Sequence, residues 1–196
     1  MIETITLSVD AMGGDNAPRA VVHGAYLLLK EHNNARFIFH GRQEQIDPLL
    51  NEFPALKSAS SVRHCETVIA MDEKPSQALR KGRGTSSMWM TIQAVKDGEA
   101  SVAVSGGNTG ALMAMATFCL RPMEGIARPG IAAIWPTLRK DIVVLDMGSM
   151  SAPKRSKVSN PSRKPVAFSV MPADRGSPIT ALSKAMTSAR APWTLW

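Results

Sequence analysis

The sequence predicts an α/β fold built on a mostly parallel sheet with helices on both faces. Three observations carry this reading. Short apolar, β-branched runs alternate with stretches of helical periodicity from the N-terminus to about Asp146. Three of the runs end at glycine-containing turns: DAMGGDNAP, SGGNTG and LDMG. Hydrophobic residues make up 44% of 196 residues, enough for one domain with a proper core.

In chain order, Ile2–Asp10 reads as a strand because it is β-branched and stops at a glycine turn. Pro18 then stands near the start of a helix, where a missing N–H does no harm. Val21, Ala25, Leu28 and Leu29 form its apolar stripe, and Glu31–Asn34 ends it. Arg36–His40 is a short strand closed by Gly41. Glu44–Glu52 reads as a helix with Ile46, Leu49 and Leu50 on one face, and Pro48 is expected in its first turn. A short strand is expected over Val62–Cys65, a short helix over Ser76–Lys81, and a longer helix over Thr85–Lys96 with Met88, Ile92 and Val95 inward. Ser101–Ser105 is a buried-type strand opening onto GGNTG, and Ala111–Leu120 is a small, apolar helix. Gly130–Trp135 and Asp141–Asp146 are two further apolar runs.

Charge divides the chain. Residues 1–148 hold 15 Lys/Arg and 15 Asp/Glu, whereas 149–196 hold eight Lys/Arg and the single acid Asp174. The net charge of +7 therefore comes from the last quarter, which also carries six prolines and nine serines and has no sustained periodicity. That composition predicts an irregular, solvated tail over 149–196 rather than a nucleic-acid or lipid arm, beside a folded unit over 1–148. No apolar run approaches the roughly 18 residues of a membrane span, and an acid followed at once by a strand pattern predicts no signal peptide. Cys65 and Cys119 read as reduced thiols, and no motif spacing suggests a metal.

Chemistry is expected at the carboxyl ends of the strands, where helix N-termini converge. In SGGNTG, Gly106 and Gly107 let the backbone approach a ligand, Asn108 and Thr109 offer hydrogen bonds, and the helix after Gly110 presents free N–H groups. Ser105 ends the strand before them. This is a cradle for phosphate or carboxylate; a plain βα turn capped by Asn108 or Thr109 accounts for it equally well. It matches neither a Walker loop nor GxGxxG. The first turn repeats the pattern with acids: Asp10 ends the strand, Gly13 and Gly14 turn, and Asp15 and Asn16 are candidate caps near Pro18. Asp10 can orient a base, a hydroxyl or a metal-bound water, or simply bond the turn's N–H groups. In MDEKPSQALRKGRGTSS, the cations Lys74, Arg80, Lys81 and Arg83 lie close to Thr85, Ser86 and Ser87, a set that suits a phosphorylated or acidic partner or an exposed loop.

Taken together, SVDAMGGDNAPRAVVHGA, MDEKPSQALRKGRGTSSM, AVSGGNTGALMA, GIARPGIAAIWPT and LDMG resemble the N-terminal half of the bacterial phosphate acyltransferases of phospholipid synthesis, the PlsX family. The likeness covers about residues 4–148. It implies a Rossmann-like α/β/α sandwich, here truncated, working as a cytoplasmic homodimer loosely attached to the inner membrane face, without metal, nucleotide or other cofactor. It also implies transfer of an acyl group from acyl carrier protein to inorganic phosphate, with the acyl phosphate used by a membrane glycerol 3-phosphate acyltransferase. On this reading Asp10 and Asn108 act in catalysis. Gly13, Gly14, Asp15, Asn16, Ser105, Gly106, Gly107, Thr109 and Gly110 line the phosphate and acyl site, and Arg80, Lys81, Ser86 and Ser87 meet phosphate or the acidic carrier.

Family members continue for roughly as many residues again, while the likeness here stops near Gly148. Restoring one base across Ser149–Ala152 reads Ser-Asn-Val-Gly, a better continuation, so a frame disruption is expected there and little activity is expected of the chain as written. Two other classes compete: a phosphotransacylase acting on coenzyme A thioesters, and a non-enzymatic interaction protein acting through its basic tail.

Overall fold

The computed structural model describes residues 4–122 and the backbone of two later strands. The elements are β1 (Ile5–Asp10), α1 (Arg19–Glu31), β2 (Ala35–Gly41), α2 (Gln43–Asn51), α3 (Pro54–Ser58), β3 (Ser60–His64), α4 (Pro75–Gly82), α5 (Ser87–Lys96), β4 (Val102–Ser105) and α6 (Thr109–Leu120), followed by β5 (Ala132–Trp135) and β6 (Ile142–Leu145). Four strands form one sheet in the order β3-β2-β1-β4, every neighbouring pair parallel. The α/β, Rossmann-like architecture expected from the alternating pattern is thus present.

Alternation of side chains sorts the sheet into two unlike faces. Leu7, Val9, Phe37, Phe39, Val102 and Val104 pack with Val21, Val22, Ala25 and Leu28 of α1, Ile46 and Leu50 of α2, and Leu56 of α3. The opposite face lies under α5, where Ile38 and Ala103 meet Ala94, Val95 and Ala100. A further apolar cluster joins α4, α5 and α6 through Ala78, Met88, Trp89, Ile92, Leu112 and Met115.

Several expectations need correction. Pro48 sits in the second turn of α2, not the first. Pro48 and Glu44, the residue whose carbonyl loses its partner, share an exposed face, where solvent can satisfy the freed carbonyl. The third strand starts two residues earlier than Val62, because pairing extends Ser60 and Ser61 along Phe37 and Ile38. Asp15 and Asn16 do not cap α1; its N-cap is Pro18, with no side-chain cap bond, after a cis Ala17–Pro18 peptide. The last two strands form an antiparallel pair, Ala132 opposite Leu145 and Trp135 opposite Ile142. Six residues separate them, too few for the dozen or so that a parallel crossover needs. Asp146–Gly148 and the whole 149–196 tail lie outside the described residues.

Candidate functional site

Asp10 and Ser105 end adjacent parallel strands and are register partners. Both side chains point to the α5 face. The Ser105 hydroxyl donates to Asp10 Oδ2 at 2.7 Å, and the Met12 amide donates to Oδ1 at 3.2 Å. The Ser87 hydroxyl and the Gly13 amide also serve this carboxylate. Asp10 is only 2% exposed. Burial pushes its carboxyl above the ordinary carboxylate range, and the hydrogen bonds from Ser105, Ser87, Met12 and Gly13 pull against that shift.

The carboxylate knits the two glycine turns into one unit. The Gly107 amide donates to Ser105 Oγ at 3.1 Å. A Cβ on Gly13 would lie 2.8 Å from Asp10 Oδ2, from the Gly107 nitrogen and from Ser105 Oγ, so no side chain fits. Gly14 has φ of +105° and faces the Gly106 carbonyl, where a Cβ would come within 3.2 Å. Asp10, Gly14, Gly107 and Asn108, the ends of two apolar strands and their turns, thus lie together at one edge of the sheet, with Gly13 and Gly106 between them.

Asn108 is the N-cap of α6: its Oδ1 accepts from the Ala111 amide at 3.0 Å. Its Nδ2 donates to carbonyls of Ala70, Met71 and Glu73. The amides of Thr109 and Gly110 open the helix, where its own ladder offers them no acceptor. Asp15 and Asn16 are exposed at the outer rim. Arg80 and Lys81 are exposed on α4, and Lys81 is committed to Glu73 at 3.4 Å. Ser86 and Ser87 are buried, so no carrier-protein surface reaches them. Ser86 caps α5 by accepting from the Trp89 amide at 3.1 Å, and Ser87 supports Asp10.

Reading the sequence misses one neighbour. His40 is the register partner of Asp10 on β2, and Arg63 of His40 on β3, so Ser105, Asp10, His40 and Arg63 form one row across the sheet. His40 is fully buried, and neither ring nitrogen has a hydrogen-bond partner. Burial, reinforced by Arg63, lowers its pKa to about 4. The only signal in the sequence is that His40, like Asp10, is the last side chain of an apolar run before a glycine-bearing turn. Cys65 and Cys119 are free thiols, both pushed upward by burial, and so poor nucleophiles.

In sum, a buried carboxylate braces two glycine turns, and the first-turn amides of α6 stand beside them. Such backbone N–H groups stabilise an anion or a carbonyl oxygen gaining charge. The fatty acid synthesis protein family matches residues 5–161. The chain belongs to that family. The match extends past Gly148, where the quoted motifs end. Among curated members of similar sequence, it is 57% identical over 145 residues to the phosphate acyltransferase of Rhizobium leguminosarum bv. trifolii (strain WSM2304), covering 74% of this chain and 42% of that relative. It is 55% identical over 145 residues to the phosphate acyltransferase of Brucella anthropi, covering 74% of this chain and 41% of that one. The chain thus spans about two fifths of the length of the curated relatives it matches. Among the described residues no helix is long and apolar enough to cross a membrane.

Proposed function

We propose that this chain carries the anion-binding part of an acyltransferase that moves a fatty acyl group from acyl carrier protein to inorganic phosphate. The observation that carries the reading is the pair of glycine turns braced by Asp10 and Ser105 at adjacent strand ends, beside the N-terminus of α6. That its relatives are phosphate acyltransferases supports acyl transfer to phosphate.

A phosphate oxygen attacks the thioester carbonyl carbon, the carbon–sulfur bond breaks, and the thiolate leaves with the proton that phosphate gives up. Hydrogen phosphate and thioester thus become acyl phosphate and thiol. Phosphate is itself the nucleophile, so the protein has to hold the dianion and stabilise the carbonyl oxygen as it gains charge. Backbone amides at Gly106, Thr109 and Gly110 suit both tasks. Asp10 serves best as a brace, since it is buried and saturated with donors. Asn108 serves as cap and positioning group. Dimer formation, peripheral membrane attachment and use of the product by a glycerol 3-phosphate acyltransferase belong to the same proposal.

The test compares residues 1–196 with a long form completed by the C-terminal part of a relative. Acyl phosphate release from acyl carrier protein thioester, at saturating phosphate, is expected from the long form and at least about a hundredfold less from the chain alone, because loosely held groups lose rate steeply. A long form that turns over only coenzyme A thioesters overturns the carrier-protein assignment. One that forms no acyl phosphate from either donor overturns the reading altogether.

A further inference from the structure

The turn at Ala70–Glu73 has no regular structure of its own, yet three of its carbonyls converge on one side chain. Asn108 Nδ2 donates to the Glu73 carbonyl at 2.8 Å, to Met71 at 2.9 Å and to Ala70 at 3.3 Å. An amide group has two hydrogens, so the longest of the three contacts is shared. On its other side the same carboxamide caps α6. Capping alone does not call for asparagine: serine, threonine and aspartate cap as well. Of these cap residues, only asparagine carries two N–H donors on an atom separate from its acceptor, so it can cap the helix and bond more than one facing carbonyl at once; aspartate has no donor, and a serine or threonine hydroxyl has a single hydrogen on a shorter side chain.

A second tie lies close by. A Cβ on Gly110 would come within 2.9 Å of Pro75 Cγ, so the proline ring rests against the first turn of α6. Glu73 and Pro75 are thus both fixed to that turn, and Lys74 lies between them. Glu73 adds internal bracing: its carboxylate accepts from the Ala70 amide at 3.4 Å and pairs with Lys81 at 3.4 Å. Lys81 is spent in that pair and on the Val68 carbonyl. Lys74 is exposed and forms no ion pair among the described residues.

We propose that Asn108 is a positioning residue that clamps the 70–73 turn onto the N-terminus of α6 and so sets the Lys74 ammonium beside the bound phosphate. The proposal rests on the phosphate reading above and deepens it: the cation of the site is Lys74, not Lys81. An ammonium there adds a mobile point charge to the fixed N–H groups of the helix start.

Asn108→Ser keeps the cap and removes the two-hydrogen amide that holds the turn, because the shorter side chain has one hydroxyl hydrogen in its place. Amide hydrogen exchange across residues 69–75 is expected to speed up about tenfold, the equivalent of one to two net hydrogen bonds, while exchange at Ala111 and Leu112 stays unchanged. Titration with inorganic phosphate should show about a fivefold loss of affinity, typical of one exposed charge. Lys74→Met should show the same loss with no change in exchange, and the double variant should be no weaker than either single one. If Asn108→Ser does not fold, Asn108→Asp keeps both size and cap while turning the donors into acceptors, and its exchange is read in the same way. Unchanged exchange across 69–75 overturns the clamp. Additive affinity losses, or an unaffected Lys74→Met, overturn the assignment of Lys74. A wild-type chain that binds no phosphate overturns the functional reading and with it the role of Lys74, while exchange still decides on the clamp.

Discussion

Asp10 and His40 are neighbours in one row of the sheet, yet burial drives their protonation in opposite senses. His40 is held neutral, with a pKa lowered from 6.5 to about 4. The unfolded chain therefore takes up the proton first, and the stability that neutral His40 contributes is whole above pH 6.5 and lost as pH falls from there through 4. Asp10 runs the other way: its folded pKa is raised, so its contribution is present below the unfolded value of 3.8 and lost as pH rises through the folded one. Comparing wild type with His40→Leu cancels Asp10 to first order. Urea midpoints at pH 7.5 and 4.5 should show wild type losing about 2–3 kcal/mol more than the variant; equal losses would mean that His40 is not the acid-sensitive group. Gly13→Ala tests the brace. Its Cβ would meet three atoms at 2.8 Å, and about 1–3 kcal/mol of stability should disappear, read from the same unfolding curves. The residues of this brace were legible because polar and glycine residues at the ends of apolar runs are conspicuous. His40 was not, since nothing in RFIFH says which strand lies beside it or in which register. Ser86 and Ser87 misled for a related reason: beside a basic cluster they look like surface hydroxyls, and only the packing of α5 onto the sheet buries them.

At the scale of elements, the strands and long helices were legible because their hydrophobic period is strong. What escaped depends on neighbours rather than on period. The start of β3 is dictated by its ladder with β2, not by its own two polar serines. The five residues of α3 are too few to show a period, although Pro54 at its start is a signal. The β5–β6 pairing was readable from the shortness of its connection, a count that apolarity alone does not prompt. The start of α5 offers the sharpest test. Ser86 Oγ accepts from the Trp89 amide at 3.1 Å and donates to the Gly82 carbonyl at 2.9 Å, so it joins the end of α4 to the beginning of α5. Ser86→Ala should cost about 1–2 kcal/mol. Far-UV circular dichroism followed through urea denaturation should report this loss, and an unchanged midpoint would show that backbone amides at this corner find other partners.

At the scale of the whole molecule, the described residues bury one strongly apolar face of the sheet and one partly polar one, and they leave part of α6 uncovered. That helix is apolar nearly all round, and Phe118 stands 59% exposed on it. If the uncovered side of α6 is an association face, its exposed ring is the first place to test it. Phe118→Gln should then lower concentration-dependent association in analytical ultracentrifugation while leaving the melting temperature within about 2 °C, as for most surface changes. Loss of folding instead would show that Phe118 belongs to the core. The unlike faces of the sheet have a further consequence, for the fidelity of folding. Strands sharing two similar apolar faces can slide past one another by a residue at little penalty. Here, a one-residue slip of β2 would turn Phe37 and Phe39 toward Ser87 and Thr91 and drive the His40 imidazole into the aliphatic layer beneath α1. Each phenylalanine ring would leave its apolar packing, a loss of about 1.5–3 kcal/mol per side chain so displaced. The row that ends in the glycine turns thus also acts as an alignment mark: a chain that has paired its strands wrongly is rejected by the same residues that shape the site.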